Sequence, residues 1–286
     1  MPISVVMPCH NAAALLPDQL EALCGQTVTQ GWELVVVDNG STDDTRATVE
    51  RFRDRLPALT LLHAGERRGA AYARNVGIAA ATGDRLLFCD ADDVVAADWL
   101  ETLGGAVRDG VIVAGRWDAE RLNPSWLRAA FPLPQDHGLQ AWSPTWLPHA
   151  GGGNLAMTRG VYDAIGPFDE DLPALEDTEF CFRAQLGGVG LVFEPSAVVS
   201  VRMRATLGGQ YRQMRDYAEG QVGLLRRFRH RGMPPAPRLR GLVAWAWVPL
   251  RLLTVHDRVS LIRWVVLLGW RVGRLRGSLR YRLLAA

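Results

Sequence analysis

Short apolar runs alternate with amphipathic stretches over residues 1–115. "ISVVMP" and "WELVVVD" are β-branched runs of the kind buried on both faces of a parallel sheet. Between them, residues 12–25 set Leu15, Leu16, Leu20 and Leu23 at helical spacing, which predicts a helix. "LTLLHA", "RLLFCD" and "VIVAG" predict three further strands, and "GAAYARNVGIAAA" a helix of small residues. Ser41 is expected to cap a helix over "STDDTRATVERF" with Asp44 as its capping partner, and Asp98 to cap the helix after "RLLFCD".

This βαβα order predicts a doubly wound α/β fold, whose ligands sit beyond the carboxyl ends of the strands. Polar residues fall in agreement. Pro8-Cys9-His10-Asn11, Asp38-Asn39 and Asp90-Ala91-Asp92 each follow a different strand, so three strand ends deliver polar groups to one edge. Residues 116–150 are rich in Trp and Pro and poorly periodic, which suits either a cover over part of a site or structural filler. Order returns at residue 151 with a strand, a short helix, a loop and a helix from about Leu175. "LVFEP" and "AVVSVRM" predict two late strands, and from Leu207 onward the chain reads as helical and basic.

Charge sharpens that division. Residues 1–201 carry 14 Arg against 27 acids, a balance of −13, and residues 202–286 carry 18 Arg against 3 acids, a balance of +15. Together they give the net +2 of the 286-residue chain. An acidic body binds anions through a divalent cation, whereas a basic tail suits an anionic surface. The chain has no Lys, which excludes a Walker-type phosphate loop and lysine Schiff-base chemistry. Cys9, Cys24, Cys89 and Cys181 form no CxxC pair and read as reduced thiols of a cytosolic protein. Met1 runs directly into a strand-like segment, with no signal-peptide pattern.

Strand alternation puts Asp90 and Asp92 on one side of a strand end, where two hard oxygen donors suit Mg²⁺ or Mn²⁺. The competing reading is an acidic turn leading into a helix. An EF-hand beginning at Asp90 fails, because Val94 and Val95 stand where a ligand and a glycine are required. Asp38 can accept from a nucleobase or ribose, or form an Asx-type turn. Arg74 can neutralise a diphosphate, or pair with a strand-end aspartate. Glu176, Asp177 and Glu179 either complement a helix dipole or supply a general base. Gly151, Gly152 and Gly153 permit close backbone approach to a ligand, or simply make a turn.

Taken together, "SVVMPCHNAAALL", "ELVVVDNGSTDDT", "GAAYARNVGIAAATGDRLLFCDADDVV", "GGGNLAMTRGVYDAIGPFDEDLPALEDTEFCFR" and "FEPSAVV" resemble the family 2 glycosyltransferases. The motifs stand in family order and cover roughly residues 2–204. The resemblance implies the GT-A nucleotide-diphospho-sugar transferase fold, with a catalytic domain over 1–206 (donor half 1–115, acceptor half 116–206) and a helical extension over 207–286. It also implies inverting transfer of a sugar from a nucleotide donor to a glycan, lipid-linked or small-molecule acceptor, with Mn²⁺ or Mg²⁺ as cofactor and no nucleic acid.

On the resemblance, Pro8, His10, Asn11 and Asp38 hold the nucleoside, Arg74 lies near the donor, and Asp90 faces ribose and metal. Asp92 is the metal ligand, and Asp177 the base with Glu176 beside it. One departure concerns the metal. Many relatives carry a His about six residues after the proline of "EP", and here that residue is Val201, followed by Arg202, Met203 and Arg204. An Arg sharing the charge, or His149 as a substitute ligand, are the alternatives. A non-catalytic sugar-binding relative is the second functional reading. A nucleotidyltransferase would want a Gly-rich basic loop that "PCHNAAALL" lacks.

In the tail, "GLVAWAWVPLRLLTV" and "VSLIRWVVLLGW" are too short to span a bilayer. Leu261, Trp264, Val265, Leu268, Val272 and Leu275 form one face, opposite Arg263 and Arg274 with Arg271 at the flank. This is either an interfacial helix at the cytoplasmic face of a membrane or a helix packed on the body.

Overall fold

The protein was analysed as a computed structural model that describes residues 2–234 and 238–284. In chain order the strands are β1 (Ile3–Cys9), β2 (Trp32–Asp38), β3 (Leu59–His63), β4 (Arg85–Cys89), β5 (Val94–Val95), β6 (Val111–Asp118), β7 (Gln140–Ala141), β8 (Pro148–His149), β9 (Asn154–Thr158) and β10 (Gly190–Ser200). The α-helices are α1 (Leu16–Cys24), α2 (Thr45–Glu50), α3 (Ala70–Ala80), α4 (Trp99–Ala106), α5 (Ser125–Ala130), α6 (Arg159–Ile165), α7 (Glu176–Leu186), α8 (Leu207–Phe228), α9 (Arg238–Leu252) and α10 (Arg258–Arg280).

Eight strands form one sheet in the order β3-β2-β1-β4-β9-β6-β10-β5. The first four in that order are parallel, β9 runs antiparallel between β4 and β6, and β10 returns parallel to β6. Alternation sorts the apolar residues onto two faces. Val5, Met7, Leu34, Val36, Leu87 and Cys89 pack under α1 and α4, whereas Val6, Val35, Val37, Leu86 and Phe88 pack under α3 and α7. Small residues bring α3 close to the sheet: a β-carbon on Gly77 would fall 2.5 Å from the Val6 side chain.

Several expected details shift. "LVFEP" and "AVVSV" are one strand, β10, whose register breaks between Glu194 and Val198. The helix expected from Ser41 begins at Thr45, because Ser41 serves the preceding loop instead. Its backbone N–H donates to Asp38 Oδ1 and its hydroxyl accepts from the Asn11 N–H. Asp98 occupies the cap position of α4 through its backbone, without a side-chain cap.

The tail lies on the body. Phe228 of α8 meets Phe182 of α7 edge to face, and Arg227 bridges to buried Glu179. α10 crosses α8 at Gly269, Gly273 and Gly277, whose missing side chains let it approach the α8 backbone at Tyr211, Arg215 and Glu219. Arg276 and Arg280 close on Glu219 at 3.1 and 3.0 Å, and Arg263 donates to the Ala129 and Ala130 carbonyls of α5. The glycine face is therefore the packed one. Arg274, expected on the solvent side, is buried, and Leu275 is exposed. Among the described residues no helix is long and apolar enough to cross a membrane.

Candidate active site

A cavity of about 640 Å³ opens beyond the carboxyl ends of β1, β2 and β4. Pro8, His10, Asn11, Asn39, Arg74, Asp90, Asp92, Glu176, Asp177 and Arg204 line it.

At one end, the turn after β1 is held open by Asn11 in the left-handed region (φ 49°), which Asn tolerates better than most residues. Its side-chain oxygen accepts from the Thr42 N–H and its amide donates to His10. His10 in turn donates to the Asn39 carbonyl at 2.9 Å. Asn39 ties the walls together, donating to the Ala64 and Arg67 carbonyls and accepting from the Gly69 N–H. Asp38 does not line the cavity. It is fully buried, with Ser41 and His63 donating to its carboxylate and Arg46 3.6 Å away. Burial pushes its carboxyl up, but the hydrogen bonds from Ser41 and His63 outweigh this and hold it below the ordinary value.

Arg74 is the centre of the floor. Its buried guanidinium donates to Asp90 Oδ1 at 2.9 Å and to Glu176 Oε1 at 2.7 Å, joining the end of β4 to the first turn of α7. Of the two sequence alternatives for Arg74, the pair with a strand-end aspartate is present, and the residue also lines the cavity. Burial and the neighbouring charge of Asp177 push the Glu176 carboxyl above its ordinary value, while Arg74 opposes them.

The glycine triplet supplies the close approach. A β-carbon on Gly152 would stand 2.8 Å from Arg74 Cζ, one on Gly153 2.5 Å from Asp90 Oδ2, and one on Gly151 inside the Trp117 ring. Free of side chains, the segment also presents the Gly152 N–H to Asp177 Oδ2 at 2.7 Å. The other Asp177 oxygen accepts from the Thr178 N–H. Asp177 is thus oriented by backbone donors, and among the described residues no arginine forms an ion pair with it. Leu175 precedes it at φ 67°, a costly conformation for a branched residue that starts α7 with both acids facing the cavity.

Asp92 and Asp93 are held from the other side. Arg202 donates its backbone N–H to Asp93 and its Nε to the Asp92 carbonyl, while its Nη2 is taken by Asp18. Arg204 Nη1 lies 3.3 Å from Asp92 Oδ2. Burial, then the charge of Asp90, push the Asp92 carboxyl up, while Arg204 and Arg202 oppose them. Asp92 and Asp90 both border the cavity, and their oxygen donors are of the type that suits a divalent cation. Among the described residues no group of three or more His, Cys, Asp or Glu is placed to hold a metal. Val201 is buried in the apolar core, and His149 lines a separate small cavity against Phe182.

Asn39 stands at the edge expected from its strand end, whereas Trp117 and Tyr217, which also line the cavity, were not singled out from the sequence. Trp117 and Pro134, Gln140 bring the Trp- and Pro-rich excursion to the site, while Trp142 and Trp146 of the same segment pack on Phe182 as filler.

A sheet with a strand-end aspartate pair on one side of a cavity and a helix-start carboxylate on the other places this site where open α/β sheets bind their ligands. The chain belongs to glycosyl transferase family 2: the family model of that description matches residues 4–166, and that of glycosyl transferase family group 2 matches 86–273. A pre-mycofactocin glycosyltransferase of Mycobacterium tuberculosis is 28% identical over 95% of this chain and 57% of its own length. A PGL/p-HBAD biosynthesis glycosyltransferase of Mycobacterium bovis is 40% identical over 63% of this chain and 68% of its own. The glycosyltransferase GlyG of Streptococcus pneumoniae is 35% identical over 40% of this chain, and the chain spans 38% of that relative and 57% of the mycofactocin one. Among solved structures, the mannosyltransferase PcManGT from Pyrobaculum calidifontis, in complex with GDP-Man and Mn²⁺, superposes with a TM-score of 0.66 at 21% identity, covering 96% of this chain and 86% of that one. Staphylococcus aureus TarS 1-349 with UDP-GlcNAc gives 0.59 at 18%, covering 98% and 92%. These likenesses establish the GT-A fold.

Proposed function

We propose that the protein is an inverting glycosyltransferase that moves a sugar from a nucleotide-diphospho-sugar to an acceptor hydroxyl. Residues 1–206 are the catalytic domain, with the donor half over 1–115 and the acceptor half over 116–206, and residues 207–286 are its extension. The observation that carries this reading is Asp177, a carboxylate aimed into the cavity by two backbone N–H groups and facing the Asp90–Asp92 corner.

In this reading Pro8, His10 and Asn11 hold the nucleoside, and Asp38 acts from beneath by fixing Ser41 and His63. Asp90 and Asp92 would hold Mn²⁺ or Mg²⁺, which supplies charge neutralisation at the leaving diphosphate. Arg204, beside Asp92 and in the cavity wall, adds a cation to that end where Val201 offers no ligand. Arg74 keeps Asp90 and Glu176 in register, so donor and acceptor ends keep a fixed distance. Asp177 takes the proton of the acceptor hydroxyl as its oxygen bonds to the anomeric carbon, while the bond from that carbon to the diphosphate breaks on the opposite face. One base and one stabilised leaving group are what single displacement with inversion requires.

The acceptor is a glycan, a lipid-linked glycan or a small molecule, and the enzyme works in the cytoplasm, on a membrane face through its arginine-rich tail. The test is release of UDP, GDP or dTDP from a panel of their sugars, with and without Mn²⁺, compared with the Asp177→Asn variant. No turnover of any donor, combined with intact nucleotide binding, would favour a non-catalytic binding protein.

A further inference from the structure

The tail carries an apolar tip that the body does not cover. Over α9 the buried Val248 faces α10, and its carbonyl accepts from Trp264 Nε1 at 2.8 Å. The side chains beyond it turn outward: Trp247 is 56% exposed, and Leu253 is 83% exposed, with Leu250 and Leu252 about half exposed. The backbone of this tip is nevertheless satisfied internally. The N–H groups of Leu253, Thr254 and Val255 donate to the carbonyls of Leu250, Arg251 and Leu252, and the Thr254 hydroxyl also donates to Arg251. Apolar side chains turned out over a backbone paired within are compatible with an apolar surrounding.

The charge around the tip selects among apolar surroundings. Residues 220–286 contain 14 Arg and one acid, Asp257. That carboxylate is occupied in the capping box of α10 with Ser260. Arg251 and Arg258 are exposed on either side of the tip, and Arg258 lies flat over Trp126, 3.8 Å from the ring centroid. Four apolar side chains at one hairpin end are far fewer than the roughly 20–30 residues a side of a stable protein interface. A Trp and three Leu flanked by two Arg match the interfacial region of an anionic bilayer.

We propose that Trp247, Leu250, Leu252 and Leu253 seat in the headgroup region of an anionic membrane, with Arg251 and Arg258 against lipid phosphates. The contact expected for the leucine face of residues 261–275 thereby moves to the end of α9, since α10 is used to pack on α8. This inference refines where the membrane reading of the tail resides; it is independent of the transferase chemistry.

The test is co-sedimentation of the full chain with phosphatidylglycerol–phosphatidylcholine vesicles and with phosphatidylcholine alone, at low and high salt. Binding to the anionic vesicles, weakened by salt and at least tenfold weaker for Leu250→Ser/Leu253→Ser, supports the proposal. The double variant should keep the melting temperature and UDP or GDP affinity of the parent, which separates the tip from both folding and the nucleotide site. A parent chain that ignores anionic vesicles, or a variant that binds them equally, overturns it. So does a parent dimer that the double variant converts to monomer without any vesicle binding, because the tip then belongs to a second copy.

Discussion

Gly152 donates its backbone N–H to the Asp177 carboxylate at 2.7 Å, so the candidate base is aimed by main chain and not by a charged side chain. In an Asp177→Asn variant the amide oxygen can keep the hydrogen bond from Gly152, while the NH2 group takes the place of the oxygen that accepts from Thr178.

Asp177→Asn should therefore preserve the cavity and abolish its chemistry. Sugar transfer is expected to fall about 10²–10⁴-fold, the range lost with a general base, while nucleotide affinity stays within twofold. Steady-state kinetics and calorimetry on the same sample check this, and unchanged transfer would remove Asp177 from the role.

Asp92→Ala tests the cation corner. Mn²⁺ is expected to strengthen UDP or GDP binding in the parent chain and to have no effect in the variant. Treating the parent with a chelator should reproduce the variant's titration. Equal Mn²⁺ dependence in the two chains would place the cation elsewhere.

Arg204→Ala separates the arginine from the metal. Because Arg204 shares Asp92 with the proposed cation, its removal should leave Mn²⁺ binding intact or tighter. Nucleoside diphosphate binding in the absence of metal should weaken roughly three- to tenfold, modest because the pair is partly exposed. Metal-free diphosphate binding that does not change would leave Arg204 as a surface cation.

Gly152→Ala puts a methyl group against the buried Arg74 guanidinium. Neither Arg74 nor the segment can yield without breaking the bonds to Asp90 and Glu176. A loss of about 1–3 kcal/mol of stability is expected from this overpacking, read by denaturant titration. Gly105→Ala, in open space on α4, serves as the comparison and should gain up to about 1 kcal/mol from helix propensity.

His149 gives a pH signature. Burial lowers its imidazole to about 4 from the ordinary 6.5, so the folded chain refuses a proton that the unfolded chain accepts. The corresponding stability is present above pH 6.5 and is lost as pH falls toward 4, by up to about 3 kcal/mol. His149→Phe, which keeps the edge contact with Phe182, should lose less stability than the parent between pH 7 and 4.5. Parallel losses in the two chains would show that the imidazole already titrates freely.

Much of this architecture is legible from local pattern. β-branched runs mark β1, β2 and β4, and the polar residues that end them do converge, because parallel strands share one carboxyl edge. The family motifs extend that to Asp90, Asp92, Glu176 and Asp177. What local pattern does not carry is which groups meet across the chain. Arg74 touches a residue 16 positions away and another 102 away, and nothing in its own helix announces the second. Ser41 has the spacing of a helix cap, yet Asp38 and Asn11 compete for it and win. On α10 leucine periodicity suggests one buried face, while glycine spacing on another face permits the closer approach and decides the packing. Apolar side chains are not the only way a helix earns a partner.

The glycine triplet at 151–153 has a consequence for how this active site can diversify. Each of its three positions is filled, on the side where a side chain would grow, by a residue of the site itself: Trp117, Arg74 and Asp90. That wall is frozen against single substitutions. Room for a different proposed acceptor must therefore come from other lining residues, such as Leu172, Pro173 and Ala174 and Tyr217 of α8. A library aimed at changing the proposed acceptor should leave the glycines alone and spend its diversity there.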